Sequence, residues 1–258
     1  MIKKISLVLL LSFAGVSAFA QNWAGGVDDD PIHFGFMFQY ISSEYKIQKK
    51  ADWRNPYPNP DVPGSNVTNG LNAISSPPTP GFGLGFVVNF RLSEHADIRL
   101  TPGLGFTDRV LDYQFIPPES DVIVDPVTGI YLTQPPTSKK VQATMVDVPV
   151  GLKLKSDRRN NFRAYLLLGA KYSRDIISKK KIDDSGNSLL EKYVKNQRNI
   201  LSYEAGVGFD LYFEYFKLSP ELKFSQSYNN VLKPEDHPFS APLDKLFLRN
   251  VQFSLFFE

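Results

Sequence analysis

Chemistry at neutral pH most often needs a histidine, and this sequence has three: His33, His95 and His237. A serine hydrolase would require one of them beside a serine and a carboxylate. His33 opens the first strand-like segment, His95 lies in a short turn, and His237 follows Glu235 and Asp236 in a long polar connection. None has a serine and a carboxylate in strand register, and loop acids beside a histidine are ordinarily solvated charge. Asp28, Asp29 and Asp30 lack the alternating ligand spacing of a calcium loop. The glycines at 81, 83 and 85 imitate a phosphate loop but read more simply as a strand whose inward positions are small. Asn66-Val67-Thr68 is a glycosylation acceptor in form only. The absence of cysteine removes disulfides, thiolate metal sites and a lipoprotein anchor. No catalytic residue, cofactor or metal site is expected.

A second set of residues has a clearer logic. Arg91, Asp97, Arg99, Asp147, Lys153, Arg163, Lys171, Glu204, Asp210, Lys217, Glu221 and Lys223 each fall on the polar side of a segment that alternates with a period of two. The first such segment sets Phe34, Phe36, Phe38 and Tyr40 against Gly35 and Gln39. The second sets Phe82, Leu84, Phe86, Val88 and Phe90 against Gly83, Gly85, Asn89 and Arg91. The third opposes Ile98, Leu100, Leu104 and Phe106 to Asp97, Arg99, Gly103 and Gly105. Further segments alternate over 146–154, 162–172, 201–213 and 216–224. The eighth places Phe247, Val251, Phe253, Leu255 and Phe257 opposite Asn250, Gln252 and Ser254. Charges on a lipid-facing surface cost roughly 2–4 kcal/mol near the bilayer midplane. Their confinement to one face is the pattern of an eight-stranded antiparallel transmembrane β-barrel, an up-and-down meander. A soluble barrel or sandwich would also alternate, but its second face would not be so rich in glycine and mixed charge.

The connections support the barrel. They are long at 42–80, 117–139, 178–199 and 229–245, and short at 93–95, 156–161 and 214–215, the alternation of extracellular loops and periplasmic turns. Residues 1–20, with Lys3, Lys4, an apolar run and Ala18-Phe19-Ala20, have the form of a secretory signal peptide. Residues 21–31 form a periplasmic tail and 32–258 the outer-membrane barrel, with both termini periplasmic. A net charge of +2 with signs mixed throughout argues against a nucleic-acid partner. Eight strands leave an interior that side chains can fill, so the inward charges form a plug; a substrate or proton path is the sharper alternative.

Three blocks go beyond the generic pattern: DIRLTPGLGFTDRVLDYQF (97–115), VPVGLKLKSDRRNNFRAYLLLGAKYSRD (148–175) and EAGVGFDLYFEYFKLSPELKFSQ (204–226). They resemble the PorT family of Bacteroidetes outer-membrane proteins, called SprT in gliding relatives. The third block, with Lys217, Pro220 and Glu221 after a Gly-x-Gly strand, carries the resemblance most specifically. It implies a non-enzymatic component of the type IX secretion system, which exports proteins bearing a C-terminal secretion domain and often supports gliding motility. Its partners would be outer-membrane lipids and other secretion components, with cargo touched only indirectly. Trp53, Tyr57 and Tyr131 are candidate loop contacts, since aromatic side chains are enriched at interfaces. A free-standing barrel for adhesion or surface protection is the alternative function, and a lipid-modifying enzyme a third.

Overall fold

The computed structural model describes residues 30–117, 123–124, 131–132, 137–176, 184 and 186–258. The expected signal peptide lies outside the described residues, as do Asp28, Asp29 and most of the expected tail.

Eight strands form the wall: β1 (Ile32–Lys49), β2 (Thr79–Ser93), β3 in two segments (Ala96–Leu100 and Gly103–Phe115), β4 (Thr137–Lys155), β5 (Phe162–Asp175), β6 (Asn199–Tyr212), β7 (Lys217–Ser227) and β8 (Leu243–Phe257). Each pairs antiparallel with its neighbour in sequence. The first and last also pair, from Phe36↔Phe257 to Lys49↔Leu243, and so close the ring. Closure leaves the wall without a free hydrogen-bonding edge. The break in β3 falls at Thr101 and Pro102, where the proline has no N–H to give; its carbonyl instead accepts from Phe86 N at 2.9 Å.

Side chains sort by face as the period of two requires. Phe34, Phe38, Tyr40, Phe82, Phe86, Leu168, Tyr203, Val207, Leu222 and Phe253 are exposed on the outside, while Asp97, Arg99, Lys153, Lys171, Glu204, Asp210, Lys217, Glu221 and Lys223 are buried inside. A continuous apolar band outside and a polar interior is the signature of a barrel that crosses a bilayer. Glycine at 83 and 85 is a matter of room: a Cβ there would meet Gln39 Nε2 at 2.4 Å and the Pro102 carbonyl at 2.4 Å, with Met37 Cε at 2.8 Å. The small inward positions of β2 make room for the inward side chains of their partners on the adjacent β1, Met37 and Gln39.

β1 runs well past its expected end on the long-loop side, continuing from Tyr40 to Lys49 instead of giving way to a loop at Ser42. β3 reaches Phe115, next to the connection expected from 117, and β4 begins at Thr137, two residues before the expected Lys139. The reason is an inversion of polarity. Beyond the apolar band the inward positions become apolar (Tyr45, Leu111, Tyr113, Ala143, Met145, Leu246, Leu248) and the outward ones polar (Glu44, Lys46, Asp108, Asp112, Lys140, Gln142). There the wall stands in water and packs a core like that of a soluble β protein.

The 42–80 connection is likewise not all loop. Its segment Leu71–Ser75 pairs with β3, Ile74 opposite Tyr113, and takes the place of β2 in the upper wall. Ser76 sews the change-over: its Oγ accepts from Tyr45 N at 3.0 Å and donates to the Val110 carbonyl at 2.7 Å.

Candidate functional site in the barrel lumen

The inward positions of β3 to β8 converge because each strand contributes every second residue to one narrow interior. Lys153 Nζ, on β4, donates to both carboxylate oxygens of Asp210, on β6, at 2.7 Å, and Ser219 Oγ adds a third donor to that carboxylate at 2.6 Å. Arg99, on β3, spans the lumen. Its guanidinium donates to Asn89 Oδ1 at 2.8 Å, to Glu221 at 3.1 Å and to Glu258 at 3.1 Å. It also stands 4.6 Å from the Phe256 ring centroid. Tyr165 hydroxyl donates to Glu221 at 3.0 Å, and Lys217 Nζ lies 2.5 Å from Glu258. Nearer the long loops, Lys223 reaches Glu204 at 3.2 Å, and Lys171 bridges Glu204 at 3.5 Å and Asp147 at 3.7 Å. At the short-turn end Lys155 pairs with Asp97 at 2.6 Å. The cations Arg99, Lys153, Lys155, Lys171, Lys217 and Lys223 thus face the carboxylates Asp97, Asp147, Glu204, Asp210, Glu221 and Glu258, which is how charge survives away from water.

Above this layer sits a cavity of about 10 Å³ lined by Ile41, Gly105, Arg109, Asp147, Lys171 and Gln252 among others. That is room for roughly one water molecule. Arg109 donates to Ser43 Oγ on β1 and to Thr107 Oγ1 of its own strand, each at 3.2 Å.

Higher still, the loops close the barrel. Phe239 packs edge-on to Tyr113 at 5.2 Å between centroids and to Phe115 at 6.3 Å, and its carbonyl accepts from Tyr113 OH at 2.6 Å. Lys139 Nζ covers the other side of the Phe239 ring at 4.0 Å. Val194, Val231 and Leu232 join the same core. The short segments Lys195–Asn196 and Leu232–Lys233 pair, and Lys195 clasps Asp184 at 2.5 Å and Glu235 at 3.1 Å. Burial opposes the Asp184 charge, but the Lys195 hydrogen bond and the Tyr193 N–H hold its carboxyl below the ordinary range. Beneath the clasp, His237 is buried and its Nδ1 accepts from Phe239 N at 3.3 Å.

Of the charges expected to face inward, Asp97, Arg99, Asp147, Lys153, Arg163, Lys171, Glu204, Asp210, Lys217, Glu221 and Lys223 are all buried, and Arg163 stands opposite Asp210 in the ladder. Arg91 is half-buried at the short-turn rim, opposite Asp97. Sequence reasoning missed Arg109, Lys155, Tyr165 and Glu258. All four follow from the same parity: Lys155 is two on from Lys153, Tyr165 two on from Arg163, and Glu258 continues Gln252, Ser254 and Phe256. Arg109 was lost with the upper half of β3.

The three loop aromatics are not brought together. Trp53 is half-buried against the upper core, with Lys49 Nζ 4.0 Å from its ring. Tyr57 donates to Asp236 Oδ1 at 2.8 Å; partial burial and that acceptor push its hydroxyl up to about 12. Tyr131 lies in a two-residue ladder opposite Val124. The histidines also stay apart: the His95 ring meets Asp157 at 2.9 Å across the short turns, while Ser93 Oγ accepts from the His95 backbone N–H at 3.3 Å and not from its ring.

Solved outer-membrane proteins align with this chain at low sequence identity. Neisserial surface protein A aligns over 88% of this chain and 98% of its own at 7% identity and a TM-score of 0.37. Ail, the attachment invasion locus protein of Yersinia pestis, aligns over 88% and 98% at 12% identity and a TM-score of 0.33. The outer membrane protease OmpT from Escherichia coli aligns over 92% and 98% at 10% identity and a TM-score of 0.35. No curated protein sequence matches the chain. A family model described as an outer membrane protein beta-barrel domain matches residues 19–233, the greater part of the sequence. With a closed eight-stranded wall, an apolar outer band and a charge-filled lumen, the chain belongs to the outer membrane protein beta-barrel domain family and resides in the outer membrane.

Proposed function

We propose that this protein is a closed, non-enzymatic barrel that works through its surfaces, as an assembly or scaffold subunit of the type IX secretion machinery. The filled lumen carries the reading: buried ion pairs from Lys155–Asp97 to Lys171–Asp147 occupy the interior, and Phe239 closes it above. Such a barrel offers no path for a protein, so a part in export must be played from its wall and loops. The machinery itself is inferred from the three blocks at 97–115, 148–175 and 204–226. Both termini lie in the periplasm and the long loops outside the cell, in keeping with short turns on the first side and loops on the second. The secretion partners meet the loop side, and cargo is contacted only indirectly.

The test is deletion of the gene, followed by assay of the cell surface and culture fluid for proteins carrying the C-terminal secretion domain. Those proteins should accumulate in the periplasm while other outer-membrane proteins assemble normally. Unimpaired export would remove the secretion reading and leave a free-standing barrel for adhesion or surface protection. An altered lipid A or phospholipid profile on deletion would point instead to a lipid-modifying enzyme.

A further inference from the structure

Just above the apolar band, the seam where β1 meets β8 carries an excess of positive charge on its outer face. Cross-strand partners there are Glu44↔Arg249, Lys46↔Phe247 and Gln48↔Lys245. Tyr45, Leu246 and Leu248 are buried inward, so Lys46, Lys245 and Arg249 point outward. Glu44 holds Arg249 at 3.2 Å. Lys46 and Lys245 are exposed and make no ion pair among the described residues. Diagonal neighbours on one face of a sheet lie roughly 7–8 Å apart, so both ammonium groups can reach one anionic headgroup. Directly below lie Tyr40, Val251, Phe253 and Phe224, exposed apolar surface on which acyl chains would rest. The β3–β4 sector of the upper wall is different: there Asp108 pairs with Lys140 at 2.7 Å and Asp112 accepts from Ser138.

We propose that the β1–β8 seam is a binding site for the phosphorylated glycolipid of the outer leaflet, with Lys46 and Lys245 on its phosphates. The assignment to that leaflet rests on the long loops lying outside the cell. The seam joins the first and last strands, so a lipid bound there would clip the barrel at its closure.

The experiment is native mass spectrometry of the folded, purified barrel titrated with bisphosphorylated lipid A, dephosphorylated lipid A and phosphatidylglycerol. The double variant K46Q/K245Q leaves the Glu44–Arg249 pair intact, and D108N/K140Q serves as control. Bisphosphorylated lipid A should bind the wild type and the control alike. The double variant should bind it about 25-fold more weakly, at about fivefold per cation near a charged surface. Equal binding to the double variant, or equal binding of dephosphorylated lipid A to the wild type, would overturn the site. Preference for phosphatidylglycerol would overturn the glycolipid assignment. Labelling of S65C in intact cells tests the orientation separately: protection of that cysteine would refute the leaflet while leaving the phosphate site to the titration.

Discussion

Asp210 receives three hydrogen bonds in a place where water does not reach, two from Lys153 and one from Ser219. Removing one partner of a buried pair strands the other, at a cost of about 3–5 kcal/mol. Asp210→Ala should therefore lower the urea midpoint of the protein folded in phospholipid vesicles by that equivalent. The double variant Lys153→Met/Asp210→Leu should recover much of the loss, because apolar replacement of both partners leaves no lone charge. At Gly85 the constraint is contact with backbone: Gly85→Ala sets a methyl 2.4 Å from the Pro102 carbonyl and 2.7 Å from Gly103 Cα. A loss of about 1–3 kcal/mol, as for overpacking elsewhere, should appear in the same urea titration. Which residues face the lumen was legible in the sequence wherever parity could be followed, as from Lys153 back to Asp147. Which carboxylate each cation meets was not, since Arg99 reaches Glu221 and Glu258 across the ring and no local pattern encodes a diameter.

Along each element the decisive feature is the inversion of polarity beyond the apolar band. The membrane half was readable because apolar residues occupy one parity and charges the other. In the upper half the sequence after Ser42 reads as a loop, and the alternation is followed only as far as Phe106 in β3 and only from Val146 in β4, because there the apolar parity changes sides. Leu168→Arg, in the band, should cost about 2–4 kcal/mol of folding free energy in bilayers, whereas Gln142→Arg, above it, should cost almost nothing; paired titrations in the same vesicles compare them. The cap carries a pH dependence of its own. Burial lowers the His237 pKa, with Lys195 and Lys139 acting in the same direction and the Glu235 and Asp184 carboxylates opposing. The folded cap therefore binds its proton less readily than the opened one. Its stability is complete above the ordinary value of 6.5 and declines as pH falls below it. Protonated Nδ1 also loses its hydrogen bond from Phe239 N. Protection of the amides of residues 235–243, taken as the exchange rate relative to the intrinsic rate at the same pH, should fall between about pH 7.5 and about pH 5, and His237→Gln should flatten that dependence.

At the scale of the whole molecule, two seals stand in series: the ion-paired plug of the lumen and the apolar cap built by Tyr113, Phe239 and Leu246. In planar bilayers the protein should show no steady conductance, and any persistent open level would contradict the closed lumen. The ring itself was legible from eight alternating segments and the order of long and short connections. The cap was not, because its residues come from the upper ends of the wall strands and from three separate connections, and meet only once the wall has brought them together. The same change of sign on the wall fixes how deeply the molecule floats. Displaced one way, Glu44, Lys46 and Asp108 would enter hydrocarbon; displaced the other, Phe38, Tyr40, Phe82 and Phe253 would be left in water. The protein thus has a waterline, and a leaflet of different thickness must pucker to meet it. A puckered rim of lipid is shared most cheaply between neighbours of equal height, so this barrel should drift toward partners whose waterline matches its own before any side chain touches.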